Sequence, residues 1–458
     1  MNLKIAILIL ESIKDRASRS KHTDFDHMKA LGIRVIKDVI ERTYNVKVGY
    51  CSMANINDYD VVLVSIGGPF DAYSLVYTFA KHGLTADDVK PKIVVGGASL
   101  INFKTYVEYG DYFVLGRGEK AIIDVIENIL DPSHELPNNV FKRGVNTFDE
   151  HFYLAQSDEL YPYEVDGKRE RNMGCQNKCF FCFYTFSRKR YRTDDYILYY
   201  HNYKEETFKE LEFEEKLTHY TTAIDGYSER LRMAMNKPIT DEMIVEKMEQ
   251  ATELSRKLKQ IIYLKIFMIC ALPTETSLER QRFFEFFNTI VKRNSDVRMR
   301  VIFTSTPFRA MPLTPAQHSP VDIFTNYRVE FQRYINSDGT VCHAGDFRVY
   351  VSHFIDSPLT VLREMVLHRG GVEDAKLVKW LLFNKFARTG KSEDVVRYIL
   401  KNYPNAEKFY REYEIGDKGE WAYLHTYIPD EALFRAGQRM KERLGIAKEV
   451  KVWQESRS

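Results

Sequence analysis

Apolar residues come in short runs along the first third of the chain. Leu3 to Leu10 is one such run, closed by Glu11, and it predicts a buried parallel strand. The segment His27 to Tyr44 instead carries Met28, Leu31, Val35, Val39 and Ile40 at helical spacing. Val46 to Ser52, Asp60 to Ser65, Lys92 to Val95 and Tyr112 to Leu115 read as further strands. Ala72 to His82, Leu100 to Glu108 and Lys120 to Leu130 read as helices between or after them. Such alternation predicts an α/β domain over residues 1–131, a Rossmann-like parallel sheet covered on both faces.

Ligands of such sheets bind beyond the carboxyl ends of the strands, and the glycines gather there. Ser65-Ile66-Gly67-Gly68, Gly96-Gly97-Ala98-Ser99 and Gly116-Arg117-Gly118-Glu119 each follow a predicted strand. Gly116 to Ala121 fits the dinucleotide fingerprint G-x-G-x-x-A. That fingerprint belongs after a first strand, whereas here no further strand of the sheet is expected. A nicotinamide site is therefore rejected.

Pro132, Pro137, Asn138 and Asn139 break the pattern, and residues 132–170 read as a linker whose end, Tyr161-Pro162-Tyr163, leads into the next domain. Alternation resumes over residues 171–315. Tyr263 to Glu275 is a buried strand running into a Pro-Thr-Glu turn; Arg298 to Thr306 is another, followed by the proline-rich loop Pro307 to Pro315. A partial (β/α)6 barrel suits this stretch. Residues 316–458 are mainly helical, with Phe324 to Ile335, Leu359 to Leu367, Ala375 to Ala387 and Ser392 to Asn402 at helical spacing and a strand-like run at Asp346 to Phe354. Docking or substrate selection is the expected role of this cap.

Candidate chemistry centres on Cys175, Cys179 and Cys182, half of the six cysteines, spaced C-x3-C-x2-C. One short loop can wrap three thiolates around an inorganic centre. A cubane of four irons takes four cysteines, so three leave one iron open to another ligand. A zinc site needs a fourth nitrogen or sulfur ligand, and the nearest histidines, His201 and His219, are distant and unpaired. Structural cysteines are the plainer alternative, although Gly174, Gln176, Asn177 and Lys178 make a polar, turning loop. Few cysteines in a long chain argue against a disulfide framework.

Charge changes the picture little. Over 458 residues the formal net charge is +2, so any nucleic-acid contact needs a local patch. The densest one, Ser187 to Arg192, could take phosphates, face solvent, or receive an acidic electron donor. The longest early apolar run is far short of the roughly 20 residues of a membrane span. With no leader pattern either, the cytoplasm is the expected compartment.

With Phe181 before its last cysteine, the motif resembles the signature of the radical S-adenosylmethionine (SAM) enzymes. The resemblance implies a [4Fe-4S] cluster whose open iron is chelated by SAM, cleavage of a carbon–sulfur bond to a 5′-deoxyadenosyl radical, and Phe181 beside the adenine. It places Asp225 and Ser228, in the segment Tyr220 to Ile244, near SAM; a turn and a helix N-cap is the alternative reading of that segment. It places Ala271 and Pro273 at the loop contacting adenine, with Cys270-Ala271 replacing the usual glycine. Cys270 itself reads as a small core residue.

The front domain, from Ile93-Val94-Val95-Gly96-Gly97 through Asp111 to Glu119, is similar to the cobalamin-binding domain that precedes many radical SAM cores. That likeness makes Ser65, Gly67, Gly96, Gly97, Gly116, Gly118 and Glu119 candidates for holding cobalamin. The D-x-H-x-x-G sequence is absent; Asp149-Glu150-His151 lies outside the sheet and lacks the glycine. Domains of this shape also occur without a ligand. Methylthiotransferases need three more front-domain cysteines, where this chain offers only Cys51.

The expected function is thus cobalamin-assisted methyl transfer to an unactivated centre of an unidentified substrate. Cobalamin-free hydrogen abstraction and a zinc-stabilised nucleic-acid-binding module are the alternatives. A low-potential donor such as flavodoxin or ferredoxin is the expected partner, with no membrane contact.

Overall fold

The computed structural model describes residues 3–13, 31–157, 159–167, 169–170, 172–175, 177–189, 191–192, 198–200, 203–352, 356–417 and 419–446. The start of the first predicted helix, Arg171, Gln176, Arg190, Asp194, Asp195, His201 and the end of the strand expected at Asp346 to Phe354 lie outside them.

The front sheet contains β1 (Ile5–Leu8), β2 (Gly49–Cys51), β3 (Val61–Ser65), β4 (Lys92–Gly96), β5 (Tyr112–Val114) and β6 (Val140–Lys142), in the order β2-β1-β3-β4-β5-β6. The first five are parallel, and β6 runs antiparallel to β5, Phe141 opposite Phe113. The sheet therefore takes a sixth strand from the segment expected to be linker. The helix expected at Leu100 to Glu108 is a kinked 3-10 segment, Lys104–Tyr109.

Strand periodicity divides the core in two. Ile5, Ile7, Val61, Leu63, Val94 and Val114 pack against α1 (Leu31–Tyr44) and α3 (Ala121–Leu130). Ala6, Leu8, Val62, Val64, Val95 and Phe113 face α2 (Pro69–Ala80) and a core continuous with the carboxyl-terminal helices.

The second sheet holds β7 (Leu198–Tyr200), β8 (Tyr203–Glu205), β9 (His219–Ala223), β10 (Ile262–Cys270), β11 (Met299–Pro307), β12 (Cys342–Ala344) and β13 (Phe347–Val351). Its order is β7-β8-β9-β10-β11-β13-β12. The five strands from β8 to β13 are mutually parallel, and β7 and β12 are antiparallel edges. Alternation thus continues to Val351, past residue 315 where the barrel was expected to end.

Preceding this sheet is α4 (Phe183–Ser187). Then α5 (Glu229–Ala234) and α6 (Asp241–Leu258) link β9 to β10, and α7 (Ser277–Arg293) links β10 to β11. A reciprocal capping box starts α7: the Thr276 hydroxyl accepts from Glu279 N at 3.2 Å and the Glu279 carboxylate accepts from Thr276 N at 2.9 Å. Phe283, Phe287 and Ile290 of α7 then bury against Leu264, Ile266 and Val301.

The described carboxyl-terminal helices include α8 (Pro358–Arg369), α9 (Ala375–Phe383), α10 (Ser392–Asn402) and α11 (Asp430–Arg443). They pack on the front domain and on the loop after β11. The Tyr73 hydroxyl of α2 donates to the Arg363 carbonyl at 2.9 Å, and the Asn102 amide to those of His368 and Gly370 at 3.2 and 2.9 Å.

Candidate active site

The cysteine loop sits between a two-stranded antiparallel pair, Asn172–Met173 with Tyr191–Arg192, and α4. Gly174 opens it at φ +67°, where a Cβ would stand 2.6 Å from the Lys189 carbonyl oxygen. Only glycine fits there without strain.

Backbone bonds then fix the loop on its neighbours. Phe180 N donates to Met235 O at 2.9 Å and Ala316 N to Phe180 O at 3.0 Å. The Asn236 amide donates to Lys178 O at 2.9 Å, and the Thr185 hydroxyl to Asn177 O at 2.8 Å. Phe180 and Phe186 are buried, while Phe181 is half-buried against the same core.

The three thiols lie close enough to perturb one another. Burial pushes Cys179 up to about 12, with Asp225, Cys182 and Cys175 adding to the rise and Lys237 opposing it. Burial also raises Cys182. Among the described residues no group of three or more His, Cys, Asp or Glu side chains closes around a single ion.

Asp225 follows β9 in the left-handed region, φ +56°, and its carboxylate accepts from the Lys237 ammonium at 2.6 Å. Both side chains are mostly buried, 12% and 10% exposed. Burial works against the charge of Lys237, yet Asp225 and the Cys179 thiol outweigh it and raise its pKa. Lys237 stands within Tyr220 to Ile244, but nothing in its spacing set it apart. The Asn-Lys-Pro turn after a short apolar helix was its one signal.

Other predicted residues are distributed along the same rim. Ser228 is the N-cap of α5, its hydroxyl accepting from Leu231 N at 3.3 Å and donating to Glu279 at 2.7 Å. Ala271 lies directly beyond β10 at φ +59°, so the position expected to carry glycine does adopt the conformation glycine favours. Pro273 is buried beside it, and Cys270 is fully buried in the core behind the sheet. Glu275 went unnoticed in the sequence. Burial lifts its carboxyl to about 7 against the opposing Arg280 guanidinium, which donates to it at 2.6 Å.

At the front sheet's carboxyl edge the candidates fall into two groups. A Cβ on Gly97, φ +125°, would stand 2.5 Å from Ile66 O, and one on Gly116, φ +76°, 2.5 Å from Ala155 N and O. These two serve backbone packing. The amides of Gly67 and Gly68 donate to Asp71 at 2.7 and 2.8 Å, and Glu119 pairs with Arg117 at 2.7 Å. A Cβ on Gly118 would press on Ile36 at 3.1 Å. Ser65 and Gly96, adjacent across β3 and β4, keep the ledge low: a Cβ on Gly96 would meet Val114 only at ordinary contact, and nothing lies within 4 Å of one on Gly68.

No family model matches the chain, and no curated protein does. Among solved structures it is similar to the radical S-adenosylmethionine methyltransferase TsrM from Kitasatospora setae, with cobalamin and a [4Fe-4S] cluster bound: 11% identity, TM-score 0.43, covering 97% of this chain and 100% of that one. It is also similar to the cobalamin-dependent S-adenosylmethionine radical enzyme OxsB with aqua-cobalamin bound, at 11% identity and TM-score 0.31, over 96% of this chain and 62% of that one. No helix among the described residues is long and apolar enough to cross a membrane.

Proposed function

We propose that the chain is a radical SAM enzyme in which Cys175, Cys179 and Cys182 hold a [4Fe-4S] cluster, leaving one iron for SAM. One observation carries this reading: three mutually interacting thiols on one loop, beside the buried Asp225–Lys237 pair at the carboxyl end of β9. When bound, the cluster supplies the electron that breaks a carbon–sulfur bond of SAM to give the 5′-deoxyadenosyl radical. Lys237 offsets the negative charge that three thiolates gather. Phe181 lines the adenine side, with Asp225, Ser228, Ala271 and Pro273 bordering SAM along the strand ends. The basic patch around Arg188 and Lys189 receives an acidic low-potential donor such as flavodoxin or ferredoxin.

The ledge of Ser65, Gly68 and Gly96 supports a flat cofactor on the front sheet, and cobalamin is the one we assign. When bound, cobalamin supplies a carrier for a methyl group. The internal duties of Gly97 and Gly116 favour a second reading, in which the front domain is a scaffold and the core only abstracts hydrogen.

Metal content after anaerobic expression with hydroxocobalamin separates these readings. Iron with near-stoichiometric cobalt supports methyl transfer; iron alone supports hydrogen abstraction. Reduced protein with SAM should release 5′-deoxyadenosine, and Cys179→Ala should not. Full activity in that variant refutes the ligand assignment.

A further inference from the structure

The second sheet has a face that the cysteine site does not use. Alternation along β10 sends Leu264, Ile266 and Met268 into the helices, and it leaves Lys265 and Phe267 on the other face, partly open to solvent. Register places Lys265 beside Ile302 of β11, and Ile302 beside Tyr350 of β13. One side-chain row nearer the amino ends stand Tyr263, Arg300 and Arg348. Tyr263 stacks on His219 of β9, ring centroids 4.5 Å apart and planes within 5°.

Most charges on this face are basic, with Glu205 of β8 in the Lys265 row two strands away. Arg300 is neutralised by Asp346 at 3.5 Å, and His343, level with Arg348 on the edge strand β12, has Asp338 at 3.3 Å. Lys265 and Arg348 are exposed and have no acidic partner among the described residues. The Lys265 ammonium rests over the Phe267 ring, 4.5 Å from its centroid. Two strands and one row separate these two cations, roughly 12 Å between Cα atoms. Long basic side chains close such a gap from both sides.

We infer that this face binds the substrate, and that the substrate is a planar ring carrying a phosphate, as in a nucleotide. The inference rests on the radical SAM reading for calling this ligand the substrate. Two unpaired cations match a phosphate monoester, whose charge is about −1.5 to −2 at neutral pH; a single carboxylate would leave one of them uncompensated. Phe267, one row nearer the carboxyl rim than Lys265, supplies an aromatic surface for the ring. Lys265 lies four residues below Ile269, so the phosphate sits roughly 13 Å beneath the rim that bears Asp225 and the cysteine loop. A ring and sugar span that distance, which puts the reactive end at the cluster.

The test is equilibrium binding to the anaerobically reconstituted protein with SAM present. The four nucleoside 5′-monophosphates are measured singly, with the parent nucleosides and inorganic phosphate alongside. At least one monophosphate should bind, its nucleoside and free phosphate each at least 10-fold more weakly. Lys265→Met with Arg348→Gln should weaken that binding at least 10-fold at unchanged iron content. The inference is overturned if no monophosphate binds, if phosphate alone binds as well, or if the double variant binds like wild type. A single-stranded oligonucleotide that binds while all four monophosphates are silent also overturns it. Iron and 5′-deoxyadenosine are read on the same samples, so nucleotide binding without a cluster refutes the radical reading while the nucleotide face stands.

Discussion

Lys237→Met isolates the electrostatics of the cysteine site. The substitution keeps the length of the side chain and removes the one charge bonded to Asp225 among the described residues; that carboxylate is 12% exposed. Breaking a mostly buried pair from one side costs roughly 3–5 kcal/mol. The penalty should therefore be about 4 kcal/mol at pH 7. Asp225→Asn strands the buried ammonium instead, and its penalty should grow as pH falls. Asparagine tolerates the left-handed backbone of residue 225, so this variant adds little strain. The double variant should recover much of both losses. Urea unfolding followed by circular dichroism, at pH 5 and pH 7, reads all four proteins. A Lys237→Met midpoint equal to wild type at pH 7 would refute the pairing argument.

Three further outcomes follow from buried groups and tight turns. Burial pushes His318 to about 4 and His368 to about 3, so both stay neutral in the fold while an unfolded chain protonates them near 6.5. Their stabilisation is complete above pH 6.5 and is lost as pH falls toward those values, about 2 kcal/mol each by pH 5; His368→Gln should remove about half of that acid sensitivity in a melting series. Gly97→Ala and Gly116→Ala should each cost roughly 2–4 kcal/mol, since left-handed backbone and close backbone contacts coincide there, while Gly68→Ala should stay within about 0.5 kcal/mol of wild type by the same unfolding assay. Cys270→Ala should leave iron content at the wild-type level, because that thiol is buried behind the sheet; loss of iron would make it part of the centre.

Much of the front domain was legible because β1, β3 and β4 carry apolar runs and α1 and α3 a 3.6-residue stripe. What escaped was nonlocal. Val140-Phe141-Lys142 is three residues in a proline- and asparagine-rich stretch, and only its pairing with β5 makes it a strand. Phe347–Val351 was readable as a strand, but its place beside β11 was not, since parallel pairing leaves no local trace. The cysteine spacing marked the loop on which the proposed function rests. Lys237 was hidden because the relation that matters is its contact with Asp225, twelve residues earlier across a helix. The glycine clusters were visible, yet whether a missing Cβ makes room for a ligand or for the chain's own backbone is a property of the folded loops. Gly97 and Gly116 turn out to do the second.

The carboxyl-terminal helices bear on the site more closely than a cap would. Every residue of α8 except Glu364 is buried, including Arg363, His368 and Arg369, and a helix buried all round belongs to the interior. Its polar groups are spent on the two flanking units. Arg309, in the loop after β11, donates to Asp356 and Glu364 at 2.7 Å each, and the Arg363 carbonyl accepts from Tyr73 of the front domain. The Arg369 guanidinium donates to the carbonyls of Gln317 and Ser319, in the segment whose Ala316 amide bonds to Phe180 of the cysteine loop. Front sheet, cysteine loop and second sheet are thus locked by one buried column. On the radical SAM reading proposed above, a rim closed in this way suits small cofactors, and the partly open face of the second sheet is the side the proposed substrate would use.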